Sequence, residues 1–230
     1  MTAQERLIVA LDVESVADAR AMAAALGETV SFYKVGMELA YAPGGFDFAL
    51  ELKAAGKSVF LDLKLHDIGV TVERATRQIA RLGVDFLTVH AFPQTMSAAR
   101  QGASAGALKL LAVTVMTSYD DDDLKEAGYA FGVADLVARR ARQAKEARVD
   151  GLILSPMELA AIRPLVGADM LLVTPGVRPE GADIGDQKRV MTPRHAVAAS
   201  ADYIVVGRPI TRAANPAVAA AAVINELAGV

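Results

Sequence analysis

The chain has 230 residues, 53% apolar and 22% charged, a composition typical of one soluble globular domain with a sizeable core. Its formal net charge of −3 provides no basic field that would gather nucleic acid, so any bound phosphate must be held by local groups. Because there is no cysteine, disulfides, thiolate metal ligands and cysteine nucleophiles are excluded for this chain.

The ends and the hydropathy of the chain point to a cytoplasmic protein. Only residues 1–6 precede the first apolar run, so we expect no signal peptide. The longest uncharged apolar stretch, residues 217–224, is too short to span a membrane. The absence of cysteine fits a reducing compartment. The length is routine for one α/β barrel, and we expect a single domain over residues 1–230.

Short apolar runs recur along the chain at fairly even spacing. Their near-continuous hydrophobicity is typical of strands that are buried on both faces of a parallel sheet. The predicted strands cover residues 7–12, 32–37, 59–64, 86–91, 108–115, 151–155, 170–176 and 203–208. A helical segment follows each run, and the clearest ones cover residues 15–26, 71–82, 133–147 and 215–228. Ser15 stands at an N-cap position, and Pro156 and Pro193 stand at first-turn positions.

Eight strands that alternate with helices favour the α/β class and a closed (β/α)8 TIM barrel. A doubly wound open sheet is the alternative, but the first strand, ALDVES, is not followed by a glycine-rich dinucleotide motif. Two long polar connections, residues 117–132 and 177–191, follow strands five and seven. They lie on the face where barrel active sites are built, and we expect lids or binding loops there.

Charged residues interrupt the first three strands near their carboxyl ends. Asp12 ends strand one, Lys34 lies in strand two, and Asp62 and Lys64 lie in strand three. Strand alternation places Asp62 and Lys64 on one face, while Leu61, Leu63 and Leu65 share the other. Any single charge of this kind could reach solvent from a strand end. Four on three consecutive strands instead predict an array of paired acids and lysines in the barrel mouth.

Nearby polar residues are less informative. Asp67 fits either the array or an N-cap of the next helix. His66 and His90 are interpreted as hydrogen-bonded structural residues, and no cluster has convincing metal-ligand spacing, so no metal site is predicted. The acidic run 120–123 is predicted to be a solvated loop, because four consecutive acids cannot all face one cation.

A phosphate site is predicted after strands seven and eight, where barrels frequently hold phosphate. Gly207 would allow the backbone to approach a ligand, and Arg208 can bind phosphate in bidentate fashion. Arg178 and Gln187 lie in the preceding connection. The alternative for Arg208 is a surface arginine that caps a helix. Together, these residues predict a barrel enzyme that acts on a small phosphorylated molecule by lysine and carboxylate chemistry.

The same motifs, in order from about residue 7 to about residue 214, resemble the orotidine 5′-monophosphate decarboxylase family. They are ALD, KVG, FLDLKLHDI, VTVMTS, VTPGVRPEGADIGDQKRVMTP and YIVVGRPIT. The D-x-K-x-x-D core is shared with a sister family of sugar-phosphate decarboxylases and aldolases. The TPGVRP, GDQ and GRP series is more diagnostic.

The resemblance implies conversion of orotidine 5′-monophosphate to uridine 5′-monophosphate and carbon dioxide in de novo pyrimidine biosynthesis, by a homodimer with shared sites and without cofactor or metal. Lys64 matches the lysine that protonates C6, and Asp62 the aspartate beside the substrate carboxylate. Lys34 and Asp67 complete the charged array, with Asp67 and Thr71 expected from the neighbouring subunit. The remaining matches are Asp12 and Lys34 to the ribose ligands, Thr117 to the residue near the base, and Gln187, Arg208, Arg178 and Gly207 to the phosphate pocket.

Two other functions stay open from the sequence. The first is a sister sugar-phosphate decarboxylase or aldolase that uses Mg²⁺ and stabilises an enediolate, and full activity on orotidylate after exhaustive EDTA treatment would decide against it. The second is a catalytically silent nucleotide-binding barrel, which would bind uridylate without turning over orotidylate.

Overall fold

All eight apolar runs form strands in the predicted chain order. The strands are β1 (Leu7–Ala10), β2 (Phe32–Gly36), β3 (Ser58–Leu65), β4 (Phe86–His90), β5 (Lys109–Val113), β6 (Gly151–Ile153), β7 (Leu171–Thr174) and β8 (Tyr203–Val206). Each pairs in parallel with its chain neighbours, and β8 pairs with β1 to close the barrel. The computed structural model describes residues 1–104, 106–179 and 191–229. The (β/α)8 prediction is confirmed, and the open-sheet alternative is wrong because β1 and β8 are joined.

Helices surround the barrel and lie at its two ends. They are α1 (Ala3–Arg6), α2 (Val16–Leu26), α3 (Met37–Tyr41), α4 (Gly45–Ala54), α5 (Gly69–Ala80), α6 (Pro93–Gly102), α7 (Asp121–Glu126), α8 (Val133–Glu146), α9 (Leu159–Val166), α10 (Pro193–Ala198), α11 (Arg208–Thr211) and α12 (Pro216–Ala228). Ser15 caps α2 as predicted, Pro193 opens α10, and Pro156 opens a short 3₁₀ turn before α9. No helix in these ranges is long and apolar enough to cross a membrane.

Two apolar layers explain why the strands are hydrophobic on both faces. The outer layer packs the strands against the helices. The inner layer fills the barrel and consists of Ile8, Ala10, Phe32, Phe60, Phe86, Leu111, Val113, Ile153, Val173 and Val205. Aromatic rings cross its lower part, with centroids of Phe32 and Phe86 5.0 Å apart and those of Phe86 and Tyr203 5.2 Å apart. Since these side chains fill the barrel interior, the cavity of the barrel lies at its mouth.

Three aspartates tie the lower end of the barrel together. Each directly precedes an even-numbered strand, accepts a hydrogen bond from a backbone amide of the preceding strand, and pairs with a cation from a helix. The sets are Asp85 with Val59 N and Lys53, Asp150 with Leu110 N and Arg100, and Asp202 with Leu172 N and Arg163. These contacts lie opposite the mouth, so we assign them to stability.

The acidic run is not the solvated loop that we predicted. Asp120 is the N-cap of α7, and its side chain accepts hydrogen bonds from the amides of Asp122 and Asp123. Asp123 in turn accepts from the Asp120 amide at 2.8 Å, and Asp121 accepts from the Val133 amide at 2.7 Å. The acids therefore nucleate a helix, because unpaired amides of its first turn need acceptors.

Asp67 is not the cap of the following helix. α5 begins at Gly69 after Ile68, and no side chain caps it. The Asp67 carboxylate accepts a hydrogen bond from the Ile68 amide at 2.6 Å and is exposed. The capping alternative for Asp67 is therefore wrong.

Candidate active site

A cavity of about 520 Å³ opens at the carboxyl ends of the strands, within the range usual for small-molecule sites. Most of the predicted site residues line it: Asp12, Lys34, Asp62, Lys64, Thr117, Arg178, Gly207 and Arg208. Gln187 lies outside the described residues, and so does most of the 177–191 connection, whose two ends are joined by a bridge between Val177 and Met191. The lid expected there stays a prediction.

Asp12, Lys34, Asp62 and Lys64 form a continuous series of ion pairs in which carboxylates and ammonium groups alternate. Lys34 Nζ lies 2.8 Å from Asp12 Oδ1 and 3.4 Å from Asp62 Oδ2. Lys64 Nζ lies 2.8 Å from Asp62 Oδ1. The lysine and aspartate at the centre, Lys34 and Asp62, have side chains only 10% and 14% exposed. The predicted charged array therefore exists, and its two central members are buried with a partner on each side.

Both central members stay ionised despite burial. Burial alone would raise the pKa of Asp62, but the ammonium groups of Lys34 and Lys64 outweigh it, and the pKa lies below its usual value. Burial alone would lower the pKa of Lys34, yet the carboxylates of Asp62 and Asp12 raise it above its usual value. The charges at the barrel mouth are thus stabilised by one another.

The backbone of Lys64 has an unusual conformation. In the pairing of β3 with β4, Leu61 faces Leu87 and Leu65 faces Val89, so β3 advances four residues where β4 advances two. Within this bulge, Lys64 has φ 48°, in the left-handed region. For a residue with a side chain this costs roughly 1–2 kcal/mol, and such conformations persist where the surroundings hold them. The bulge aims Lys64 back over the same cavity as Asp62.

Gly36 is a cavity residue that the sequence analysis did not identify. A Cβ at this position would lie 2.9 Å from Asp12 Oδ1 and 2.9 Å from Lys34 Nζ. Only glycine therefore leaves the Asp12–Lys34 ion pair undisturbed. Gly36 is the glycine of the KVG motif, and a glycine next to a charged residue in a strand is a sequence signal for a close approach.

Three arginines also line the cavity. Arg178 and Arg208 line it, as predicted, and so does Arg212, which follows Arg208 by one helical turn and was not predicted. Arg178 is buried, and its guanidinium donates to the carbonyl of Val177 at 3.0 Å. Among the residues that the structure describes, five basic and three acidic side chains line the cavity, although the chain is negative overall. This excess of positive charge suits an anionic ligand group.

His66 follows β3 and His90 ends β4, but neither lines the cavity. His66 Nδ1 is 3.0 Å from Thr95 Oγ1, and its ring stacks on Phe92 with centroids 4.4 Å apart. Burial, followed by the nearby His66 and Arg140, lowers the pKa of His90. The structural interpretation of His66 fits these contacts. In the described part of the chain, no group of three or more His, Asp and Glu could hold a metal ion.

Asp67 and Thr71 do not line the cavity of their own chain. Both are exposed, on the turn into α5 and on its first turn. Two apolar neighbours, Ile68 and Val70, are 66% and 48% exposed. A shallow groove between α5 and α6 adjoins them. Exposed apolar side chains therefore lie directly beside Asp67 and Thr71.

Comparisons with known proteins agree with this geometry. A family model described as "Orotidine 5'-phosphate decarboxylase / HUMPS family" matches residues 5–223. The chain is 64% identical over 225 residues to an orotidine 5′-phosphate decarboxylase of Bradyrhizobium sp. (strain BTAi1 / ATCC BAA-1182), covering 98% of this chain and 92% of the relative. A relative of the same name from Rhodopseudomonas palustris (strain BisA53) is 59% identical over 227 residues, covering 99% and 96%. The crystal structure of orotidine 5′-phosphate decarboxylase from Lactobacillus acidophilus matches with a TM-score of 0.86 at 39% identity, covering 96% and 98%.

Proposed function

The chain belongs to the orotidine 5′-phosphate decarboxylase / HUMPS family, and from this premise we propose how its barrel mouth works. The protein is a carboxy-lyase that converts orotidine 5′-monophosphate to uridine 5′-monophosphate and carbon dioxide in de novo pyrimidine biosynthesis. One observation supports the assignment of roles: the alternating chain Asp12–Lys34–Asp62–Lys64 ends with an ammonium group inside the cavity.

Lys64 is the proton donor in this proposal. Breaking the bond between C6 and the carboxylate releases carbon dioxide and leaves the electron pair on an sp² carbon. A preorganised ammonium beside that carbon stabilises the developing negative charge more than it stabilises the ground state. Lys64 Nζ then gives its proton to C6, and the neutral amine regains a proton from solvent. The net change is replacement of the carboxylate by one hydrogen.

Asp62 acts mainly by holding the two lysines. Two carboxylates about 4 Å apart repel by roughly 4 kcal/mol at an effective dielectric constant near 20. The largest enzymatic rate enhancements correspond to ~23 kcal/mol or more, so repulsion between Asp62 and the substrate carboxylate is a minor contribution. The 2.8 Å contact with Lys64 and the 3.4 Å contact with Lys34 are the larger effect of this carboxylate.

The rest of the cavity binds the nucleotide. Asp12 and Lys34 bind the ribose hydroxyls, and Thr117 lies near the base. Arg178, Arg208 and the backbone at Gly207 bind the phosphate, and all three residues line the cavity. Gln187 stays a predicted member of the phosphate pocket. The excess of basic side chains supports this division, because the phosphate is the most highly charged part of the substrate.

The working unit is a homodimer in which Asp67 and Thr71 enter the partner's cavity. Both are exposed and outside the cavity of their own chain, which supports this arrangement. The exposed Ile68 and Val70 provide apolar surface beside them for an isologous contact. Each active site would then combine Lys64 of one chain with Asp67 of the other.

The domain and its compartment complete the proposal. Residues 1–230 act as one domain in the cytoplasm. The match of the family model to residues 5–223 and the absence of cysteine support these two statements.

Loss of orotidylate absorbance on adding purified protein tests the reaction. We expect uridylate and carbon dioxide in equal amounts, with the same rate before and after exhaustive EDTA treatment. Loss of activity on EDTA treatment would point to the Mg²⁺-dependent sister chemistry. Binding of uridylate without any turnover would point to a silent nucleotide-binding barrel. The names of the close relatives favour neither alternative.

A further inference from the structure

Thr88 is a fully buried hydroxyl residue in the wall of the barrel mouth. It lies in β4 two residues after Phe86, which belongs to the inner apolar layer, so the Thr88 side chain also faces inward. Its neighbour across the sheet is the bulged segment of β3 that contains Asp62 and Lys64. A hydroxyl at such a position needs partners, because burial without a hydrogen bond is unfavourable.

Both partners of Thr88 belong to the proposed catalytic pair. The Lys64 backbone amide donates to Thr88 Oγ1 at 2.9 Å. Thr88 Oγ1 donates to Asp62 Oδ1 at 2.8 Å. Since an amide can only donate, the hydroxyl proton is free to point to the carboxylate, and both bonds form at once. One side chain thus binds the backbone of Lys64 and the carboxylate of Asp62.

These two hydrogen bonds restrict the backbone of Lys64 and the side-chain rotation of Asp62. The bulge removes Lys64 from regular pairing with β4, and the threonine hydroxyl takes the place of a backbone acceptor for its amide. Oδ1 of Asp62 receives both Thr88 and the Lys64 ammonium, while Oδ2 faces Lys34. The hydroxyl therefore sets the rotation of the carboxylate as well as the left-handed backbone of Lys64.

We propose that Thr88 is a positioning residue for the decarboxylation, holding the Lys64 ammonium and the Asp62 carboxylate in their reactive arrangement before substrate binds. This inference rests on the proposed function of Lys64. Thr88 is fully buried and does not line the cavity, so it acts through its hydrogen bonds to Lys64 and Asp62. Its removal should therefore change the rate of the chemical step much more than nucleotide binding, since small misplacements of a reacting group can lower rates about 100-fold.

Thr88→Val keeps the shape of the side chain and removes only the hydroxyl, and Thr88→Ser keeps the hydroxyl. We expect Thr88→Val to lower kcat for orotidylate by roughly 10- to 100-fold, with KM and the Kd for uridylate within about threefold of wild type. Thr88→Ser should recover kcat to within about threefold. Thr114→Val is the matched control, because Thr114 is equally buried and its hydroxyl donates to the Ile153 carbonyl at 3.0 Å. Its kcat should stay near wild type.

Several results would overturn the inference. The inference is wrong if Thr88→Val has an unchanged kcat. It is also wrong if Thr88→Ser is as slow as Thr88→Val, or if Thr114→Val loses as much kcat as Thr88→Val. A crystal structure of Thr88→Val gives a readout independent of turnover: unchanged Lys64 φ and an unchanged Lys64–Asp62 contact would contradict it. Thr88→Ala replaces the valine variant if that protein does not fold. Absence of turnover by wild type would instead refute the proposed function.

Discussion

The ammonium nitrogen of Lys64 lies 2.8 Å from Oδ1 of Asp62, and the left-handed backbone at Lys64, with φ 48°, lies in a bulge next to a buried threonine. Two residues separated by one position in a strand would point to the same side in any case. The bulge changes where along that side the lysine lies. The position of Lys64, the proposed proton donor, therefore depends on long-range contacts between β3 and β4.

Gly36→Ala should disturb the Asp12–Lys34 ion pair, because the added Cβ would lie 2.9 Å from both charged atoms. We expect KM for orotidylate to rise by about tenfold and the free energy of unfolding to change by less than about 1 kcal/mol, since both contacts are with side-chain ends. Steady-state kinetics and urea unfolding measure the two effects. Gly106→Ala is a suitable control, because its Cβ would meet nothing closer than 4.0 Å. An unchanged KM in Gly36→Ala would show that this ion pair does not contact the ribose.

Arg208→Ala should lower kcat/KM for orotidylate by roughly 10- to 100-fold, the loss expected for one hydrogen-bonded charge contact. The loss should be far smaller for orotidine, which lacks the phosphate. Arg142→Ala, an exposed arginine of α8 outside the cavity, removes the same charge as a control. Equal losses on both substrates would show that Arg208 serves the barrel instead of the phosphate.

The shared site predicts complementation between two inactive variants. A Lys64→Ala chain keeps Asp67, and an Asp67→Ala chain keeps Lys64, so each mixed dimer should contain one intact site. With random exchange half of the dimers are mixed, and activity should recover to about a quarter of wild type. The variants are refolded together and assayed against each alone. If mixed dimers form and stay inactive, Asp67 acts within its own chain.

His90 should make the fold sensitive to mild acid. Its pKa is lowered below 6.5 by burial and by nearby positive charge, so the unfolded chain takes up this proton more readily than the folded one. The neutral histidine therefore contributes stability above pH 6.5 that is lost as the pH falls through the folded pKa. Between pH 7 and 5, His90→Gln should reduce the slope of unfolding free energy by up to about 1.4 kcal/mol per pH unit.

Urea unfolding at several pH values measures this slope, with the exposed His195→Gln as a control for the residue change. A His90→Gln protein whose unfolding free energy falls with pH as steeply as wild type would contradict the assignment.

The barrel itself was predictable because its strands are buried on both faces. Runs such as 203–208 have no polar alternation, and β8 forms there with an inner and an outer apolar layer. The aspartate contacts at the end of the barrel opposite the mouth were also predictable, because an aspartate directly precedes β4, β6 and β8, in the sequences VDF, VDG and ADY. α7 was missed because Asp120 and Asp123 were considered only as charges and not as a reciprocal cap.

The charged residues of the site were predictable from the sequence, but the residues that hold them in place were not. Asp62 and Lys64 stand out because charge is rare in a buried strand. Thr88 and Gly36 do not stand out, since their importance depends on a register shift and on a 2.9 Å approach between different strands. A period-two pattern gives no sign of a bulge. Asp67 and Thr71 lie outside their own cavity, so one chain alone does not place them in a site.

The turnover number of Lys64→Ala tests the central claim most directly. The variant is compared with wild type and with Lys125→Ala, which removes an exposed lysine of α7. We expect Lys64→Ala to keep the fold and much of the affinity for uridylate but to lose turnover of orotidylate. Lys125→Ala should match wild type in all three properties. If Lys64→Ala retained even about a tenth of the wild-type kcat, Lys64 could not be the proton donor.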